Sequence, residues 1–171
     1  MGVTRLNHAV LYVRDLDESV AFYRDVLGFD TAMSMPGAAF LQASDSNNDH
    51  DLGLFQIGRS ASDSPAGRSA VGLYHLAWEV DTLAALKEMA ARLSGADALV
   101  GATDHGTTKA LYGKDPNGIE FEVCWLVPAE LIDEGVLEAR SRLAPLDLDA
   151  DFERFGADTR GGVGVSFPAQ V

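Results

Sequence analysis

Hydrophobic and polar positions alternate along this chain with two different periods. Over residues 6–13 the period is two: Ala9, Leu11 and Val13 share one face, and His8, Val10 and Tyr12 share the other. That alternation, with β-branched and aromatic content, predicts a strand. The spacing then turns helical at Leu16, Val20, Tyr23 and Leu27, with Asp15 and Glu18 placed as an N-cap pair and Gly28 as a stop. Strands are predicted over 29–35 and 38–43, turned at Pro36-Gly37, and over 52–57 after the polar loop 44–50. The same succession then recurs. A strand over 73–80 sets Leu76, Trp78 and Val80 against His75, and a helix runs from the cap Asp81-Thr82 through Leu93 to Gly95. Strands follow over 98–102, 108–113 and 118–125.

The recurrence is an internal repeat. His75 lies 67 positions after His8, and the same offset carries Val13 onto Val80, Leu16 onto Leu83 and Gly28 onto Gly95. In the closing strands, residues 54–57 match 120–123 with a one-residue gap, which sets Gln56 against Glu122. Each half reads as a βαβββ module with one sheet face covered by its own helix, leaving the other face to be covered or to bind something. The expected fold class is α+β: paired βαβββ modules forming a cupped, half-barrel mixed sheet. One domain spans 1–126 (module one about 5–58, a Ser/Gly/Ala-rich linker 59–71, module two about 72–126). A C-terminal helix and tail occupy 127–171, with a helical stripe at Ile132, Val136, Ala139 and Leu143, interrupted by Gly135. The tail reads as a strap over the domain or over a second copy.

Composition narrows the function classes. Net charge is −13 with a pI near 4.5, a surface that repels phosphate backbones, so no nucleic-acid partner is expected. No apolar run is long enough to span a bilayer, so no membrane partner is expected either. The N-terminus lacks a basic-then-apolar leader pattern. The single cysteine, Cys124, has no internal disulfide partner, which suits a reducing compartment. A cytoplasmic location is expected.

The candidate chemistry sits on the faces opposite the helices. His8 and His75 occupy equivalent positions of the two modules. In the closing strand Phe121, Val123 and Trp125 share one face, leaving Glu122 on the other with Glu120 and Cys124. A carboxylate in so apolar a strand is costly to bury unless paired or bound to a metal. If the two sheets face one another, His8, His75 and Glu122 converge. Two imidazoles and a carboxylate form the facial set that binds Fe2+ with open positions, and the same trio suits Mn2+ or Zn2+. A satisfied core histidine is the commoner fate of a lone strand His; the repeat symmetry argues for ligands here.

The module order, Asn7-His8, Tyr74-His75 and the Asp115-Pro116-Asn117-Gly118…Glu122 signature resemble the vicinal oxygen chelate superfamily, which includes glyoxalase I, bleomycin-resistance proteins and type I extradiol dioxygenases. The resemblance covers about residues 6–125. It implies a metal-holding cup with His8, His75 and Glu122 as ligands. Glyoxalase I uses a fourth ligand, a Glu on the last strand of the other half, where the match here is Gln56. Three ligands leave room for a bidentate catecholate and dioxygen, so the resemblance leans toward the ring-cleaving branch. In that branch a His and a Tyr on the stretch before the signature turn contact the substrate hydroxyls, which implies such roles for His105 and Tyr112. The branch's further acid–base histidine has no counterpart in 58–70, leaving His50 or His105 for the proton work.

The expected activity is therefore a metal-dependent extradiol dioxygenase, an enzyme acting on a small aromatic catechol and dioxygen, with Val10, Ala77 and Leu54 as apolar wall. The alternatives are a metal-dependent isomerase, lyase or epimerase on the same trio, or a non-catalytic binding protein. The apolar residues between Ile132 and Leu143 point to a homodimer.

Overall fold

The computed structural model describes residues 2–3, 5–64, 69–162 and 165–166. Of the expected linker, residues 65–68 lie outside the described residues, as do 163 and 164 of the Gly-rich tail. The fold is α+β with two open mixed sheets. The chain divides into two compact units: Met1–Pro65 with Asp115–Ile119, and Ala66–Lys114 with Glu120–Val171.

Unit 1 follows the order β1 (Ala9–Val13), α1 (Leu16–Asp25), β2 (Phe29–Met35), β3 (Ala38–Ala43) and β4 (Leu52–Gln56). Its sheet runs β1-β4-β3-β2, with β1 parallel to β4 and the remaining pairs antiparallel. Asp15 caps α1 as expected, its carboxylate accepting from the Glu18 N–H at 3.1 Å. The helix covers Leu11, Val13, Leu41, Leu52 and Leu54, and burial of each such side chain contributes about 1.5–3 kcal/mol. Val10 and Tyr12 lie on the uncovered face, 52% and 71% exposed.

The signature turn Asp115–Ile119 groups with this unit because it clasps α1. Asp115 Oδ1 accepts from the N–H groups of Asn117 and Ile119 at 2.8 and 2.9 Å, and Gly118 takes the φ of +80° that closes the turn. Asn117 Oδ1 accepts from the Arg14 N–H at 2.8 Å, and its amide donates to Ser19 Oγ at 3.1 Å. The Tyr23 hydroxyl donates to Asp115 Oδ2 at 3.3 Å.

Unit 2 contains β5 (Leu76–Glu79), α2 (Leu83–Gly95), β6 (Leu99–Asp104), β7 (Thr108–Lys114) and β8 (Glu120–Leu126). Then come a 3-10 turn (Ala129–Leu131), α3 (Glu134–Ala139), β9 (Ala144–Pro145) and α4 (Leu148–Phe155). The sheet order is β5-β8-β7-β6-β9. Thr82 caps α2 through Ala85 N–H. The helix runs through Gly95, and the left-handed residue falls on Asp97 (φ 54°) rather than on the glycine.

The tail straps its own unit. Trp125, fully buried, donates to Thr159 O at 3.1 Å and packs on Phe155 of α4, with ring centroids 5.7 Å apart. The single helix expected over 128–143 is instead a 3-10 turn followed by the short α3, which Asp133 caps by accepting from Val136 N–H at 2.8 Å. Val136, 1% exposed, is packed within the unit, so part of the stripe that suggested a second copy covers this chain itself. Leu137 and Leu143 stay exposed. Among the described residues no helix is long and apolar enough to cross a membrane.

Candidate functional site

On the face of the unit 2 sheet away from α2, ladder register decides which side chains meet. Glu122 is paired with Ala77 on one side and Tyr112 on the other, and Tyr112 is paired with Gly101. His75 lies two residues before Ala77, so alternation carries it to the same face. His75 Nε2 is 3.1 Å from Glu122 Oε2. Its other ring nitrogen, Nδ1, is buried with no hydrogen-bond partner. The Glu122 residue is 9% exposed, so the carboxylate that the alternation marked is indeed buried, with an imidazole against it.

Tyr112 extends the cluster. Its hydroxyl is 2.8 Å from His105 Nε2, and its ring meets the His75 ring edge-on at 5.8 Å. Burial pushes the phenol up to about 12, reinforced by the negative charge of Glu122 and by Tyr74 and Cys124. It therefore stays protonated at neutral pH as a hydrogen-bond donor. Cys124, on the same face, is pushed up to about 12 mainly by burial and then by the charges of Glu122 and Glu79. A thiol so held stays protonated at neutral pH, which makes it a poor nucleophile.

His8 belongs to unit 1, just before β1. Its Nδ1 is 2.7 Å from Asn7 Oδ1, and its ring meets that of His50 in a tilted contact, centroids 4.6 Å apart. His50 in turn is edge-on to Phe40 at 5.0 Å and 2.8 Å from Asp49. Within either unit, no three described His, Cys, Asp or Glu side chains gather at one point. What unit 2 does bring together is two of the three expected metal ligands and both residues of the expected substrate-contacting pair.

The donor chemistry of His75 and Glu122 fits a divalent cation. Two adjacent ligands on one ion, each with a bond of about 2.1 Å at a right angle, stand about 3.0 Å apart, close to the observed separation. Neutral imidazole with carboxylate suits iron, manganese and zinc alike.

The model of the Glyoxalase/Bleomycin resistance protein/Dioxygenase superfamily matches residues 5–123. The chain belongs to this superfamily. It is 34% identical over 120 residues to the catechol-2,3-dioxygenase of Bacillus subtilis (strain 168), covering 70% of this chain and 41% of that protein. The chain thus spans about two-fifths of that relative's length. It is 33% identical over 133 residues to the mitochondrial methylmalonyl-CoA epimerase of Mus musculus, covering 70% of this chain and 71% of that protein. The lactoylglutathione lyase structure from Agrobacterium tumefaciens superposes with a TM-score of 0.54 at 26% identity, over 72% of this chain and 95% of that one.

Two readings within the superfamily frame need correction. In the ladders, Val10 is paired with Gly53 as Ala77 is paired with Glu122. The unit 1 counterpart of Glu122 is therefore Gly53, offset by 69, and not Gln56. Gln56 instead points to the helix side, where its Oε1 accepts from the Leu16 N–H at 2.9 Å and closes the first turn of α1. Leu54 is likewise no wall residue. It is paired with Leu11 on the buried face and is fully inaccessible, whereas Phe40, Gly53 and Phe55 accompany Val10 on the uncovered face. Sequence matching slid the closing strand by three positions, and only hydrogen-bond register could have corrected it.

Proposed function

We propose that the chain is a divalent-metal-dependent extradiol dioxygenase acting on a small catechol. His75 and Glu122 would hold the ion, with His8 as the third protein ligand expected from the repeat; Fe2+ is the preferred ion, with Mn2+ or Zn2+ able to take the same donors. The observation that carries this reading is the 3.1 Å approach of His75 Nε2 to Glu122 Oε2, with the His105–Tyr112 hydrogen bond beside it. When bound, such an ion supplies positive charge that eases deprotonation of a chelating diol and holds both reactants at one centre.

The chain's own residues do the rest. Tyr112, protonated at neutral pH, donates to a substrate oxygen as negative charge develops there. His105, hydrogen-bonded to that phenol, takes up or returns the proton at Nε2. Ala77 and Gly101 flank Glu122 and Tyr112 in the ladders and offer little bulk, leaving space above the row for a flat ring. Gly53, the unit 1 counterpart of Glu122 in the repeat, has no side chain to offer as a fourth ligand, which supports a three-ligand count and suits ring cleavage better than a four-ligand glyoxalase site.

The test is oxygen uptake by anaerobically iron-loaded protein with a panel of monocyclic and bicyclic catechols, wild type beside Glu122→Gln. Uptake in step with ring-cleaved product, lost in the variant together with bound metal, supports the reading. The epimerase relative, covered over most of its length, favours a second reading: proton abstraction beside a carbonyl without oxygen. Metal-dependent proton exchange into substrate under argon, with no uptake in air, would select it. Tight ligand binding without turnover would select a binding role.

A further inference from the structure

Several of the tail's contacts meet at one short stretch, Asp104–Gly106, which carries His105. Lys109 stands on the helix-side face of β7, only 2% exposed, among apolar neighbours. Its Nζ lies 2.7 Å from Asp104 Oδ2 and 2.9 Å from Asp151 Oδ1 of α4. Asp104 Oδ1 meanwhile accepts from the Gly106 N–H at 2.7 Å. Gly106, at φ +78°, is seated on α3 so closely that a Cβ there would fall 2.6 Å from Val136 O and 2.7 Å from Arg140 N. β9 pairs Ala144 with Asp104. Arg154 of α4 donates to both carboxylate oxygens of Asp133, the cap of α3, at 2.8 and 3.0 Å. Three tail elements thus hold the backbone on both sides of His105.

We propose that Asp104, Lys109 and Asp151, together with the Gly106 seat on α3, are positioning residues that hold His105 in hydrogen-bonding register with Tyr112. A buried lysine between two carboxylates is no better for stability than packed apolar groups of like volume. What it adds is direction. The ammonium fixes the Asp104 carboxylate, the carboxylate fixes the Gly106 amide, and His105 lies between them. The functional half of the proposal rests on the reading of His105 as a proton-handling residue given above; the positional half does not.

Two full-length variants test it: Asp151→Asn, nearly isosteric, and Gly106→Ala, which forces α3 away. The first readout is the imidazole carbon–proton spectrum of the four histidines. His105 is expected to shift toward its position in Tyr112→Phe, where its partner is gone, with His8, His50 and His75 nearly unmoved. An unmoved His105, or all four signals shifting together, overturns the proposal. Should Gly106→Ala fail to fold, Asp151→Asn decides alone. The second readout is steady-state oxygen uptake, expected to show kcat down at least tenfold with KM within about twofold, and recovery in Asp151→Glu. An unchanged kcat with a displaced His105 overturns the functional half. A wild type that consumes no oxygen defeats the dioxygenase reading instead, and the spectrum still decides the clamp.

Discussion

Replacing Asn117 by alanine tests whether the signature turn is a clasp on α1. The side chain is 9% exposed and makes three hydrogen bonds: with Arg14 N–H, Ser19 Oγ and Asp115 Oδ2. In Asn117→Ala the Arg14 amide loses its acceptor, a loss of about 1–3 kcal/mol when a donor is left unpaired away from water. Ser19 Oγ still donates to Asp15 O and Asp115 Oδ2 still accepts from Tyr23, so these losses stay nearer the ordinary net value of about 1 kcal/mol or less each. The sum is about 2–4 kcal/mol, which at a mid-range urea slope of about 2 kcal/mol per molar lowers the midpoint by about 1–2 M.

The effect depends on pH in a stated direction. Burial outweighs the hydrogen bonds at Asp115 and raises its carboxyl above the usual 3.8. A carboxyl raised in the folded state binds its proton more tightly there, so stability falls as pH rises through the folded value. Removing a donor raises it further, and the Asn117→Ala deficit is therefore greater at pH 7 than at about pH 3.5. Urea melts at both pH values, with amide exchange at Arg14, measure this. A midpoint shift under about 0.3 M, or unaltered exchange at Arg14, would refute the clasp.

Three other outcomes are expected. Gln56→Ala uncaps the first turn of α1 and lowers stability by about 0.5–2 kcal/mol, while elemental analysis finds the metal content of the protein unchanged. Tyr112→Phe keeps the ring and binds metal normally, but oxygen uptake falls about 10²–10³-fold if the phenol donates to developing charge; in the wild type the phenol, at about 12, contributes no limb to the pH–rate profile below about pH 10. Cys124, 5% exposed and at about 12, reacts with a disulfide reagent at about pH 8 more than a thousandfold slower than the urea-unfolded chain.

The elements with local punctuation were legible in the sequence. Pro36-Gly37 set the β2–β3 hairpin to the residue, and Asp15 and Thr82 marked both long helices, because turn and cap chemistry is written within a few positions. Strand parity set His75 on the face opposite Leu76 and Trp78, and Glu122 opposite Phe121, Val123 and Trp125, since alternation within a strand has a period of two; that these and Tyr112 share one face follows from the ladder pairing. Register was not legible. Gln56 resembled Glu122 in type and position, but inter-strand hydrogen bonds, which leave no mark in composition, chose Gly53. β9 and α4 were missed because an acidic, Gly-flanked run has weak local preference. Phe155 finds its place through Trp125, and Asp151 through Lys109. Lys109 itself was the neglected clue: a lysine sharing a face with Leu111 needs counter-charges from elsewhere.

The grouping of Asp115–Ile119 with unit 1 bears on how the polypeptide emerges during translation. Arg14 and Asn117 are 103 positions apart, so α1 waits for its clasp until most of the chain has left the ribosome. Closing so wide a loop costs about 4 kcal/mol in chain entropy before the first of those bonds forms. A nascent N-terminal half released early would therefore be an incomplete piece, exposed to proteases and to premature association until its distant partner is made.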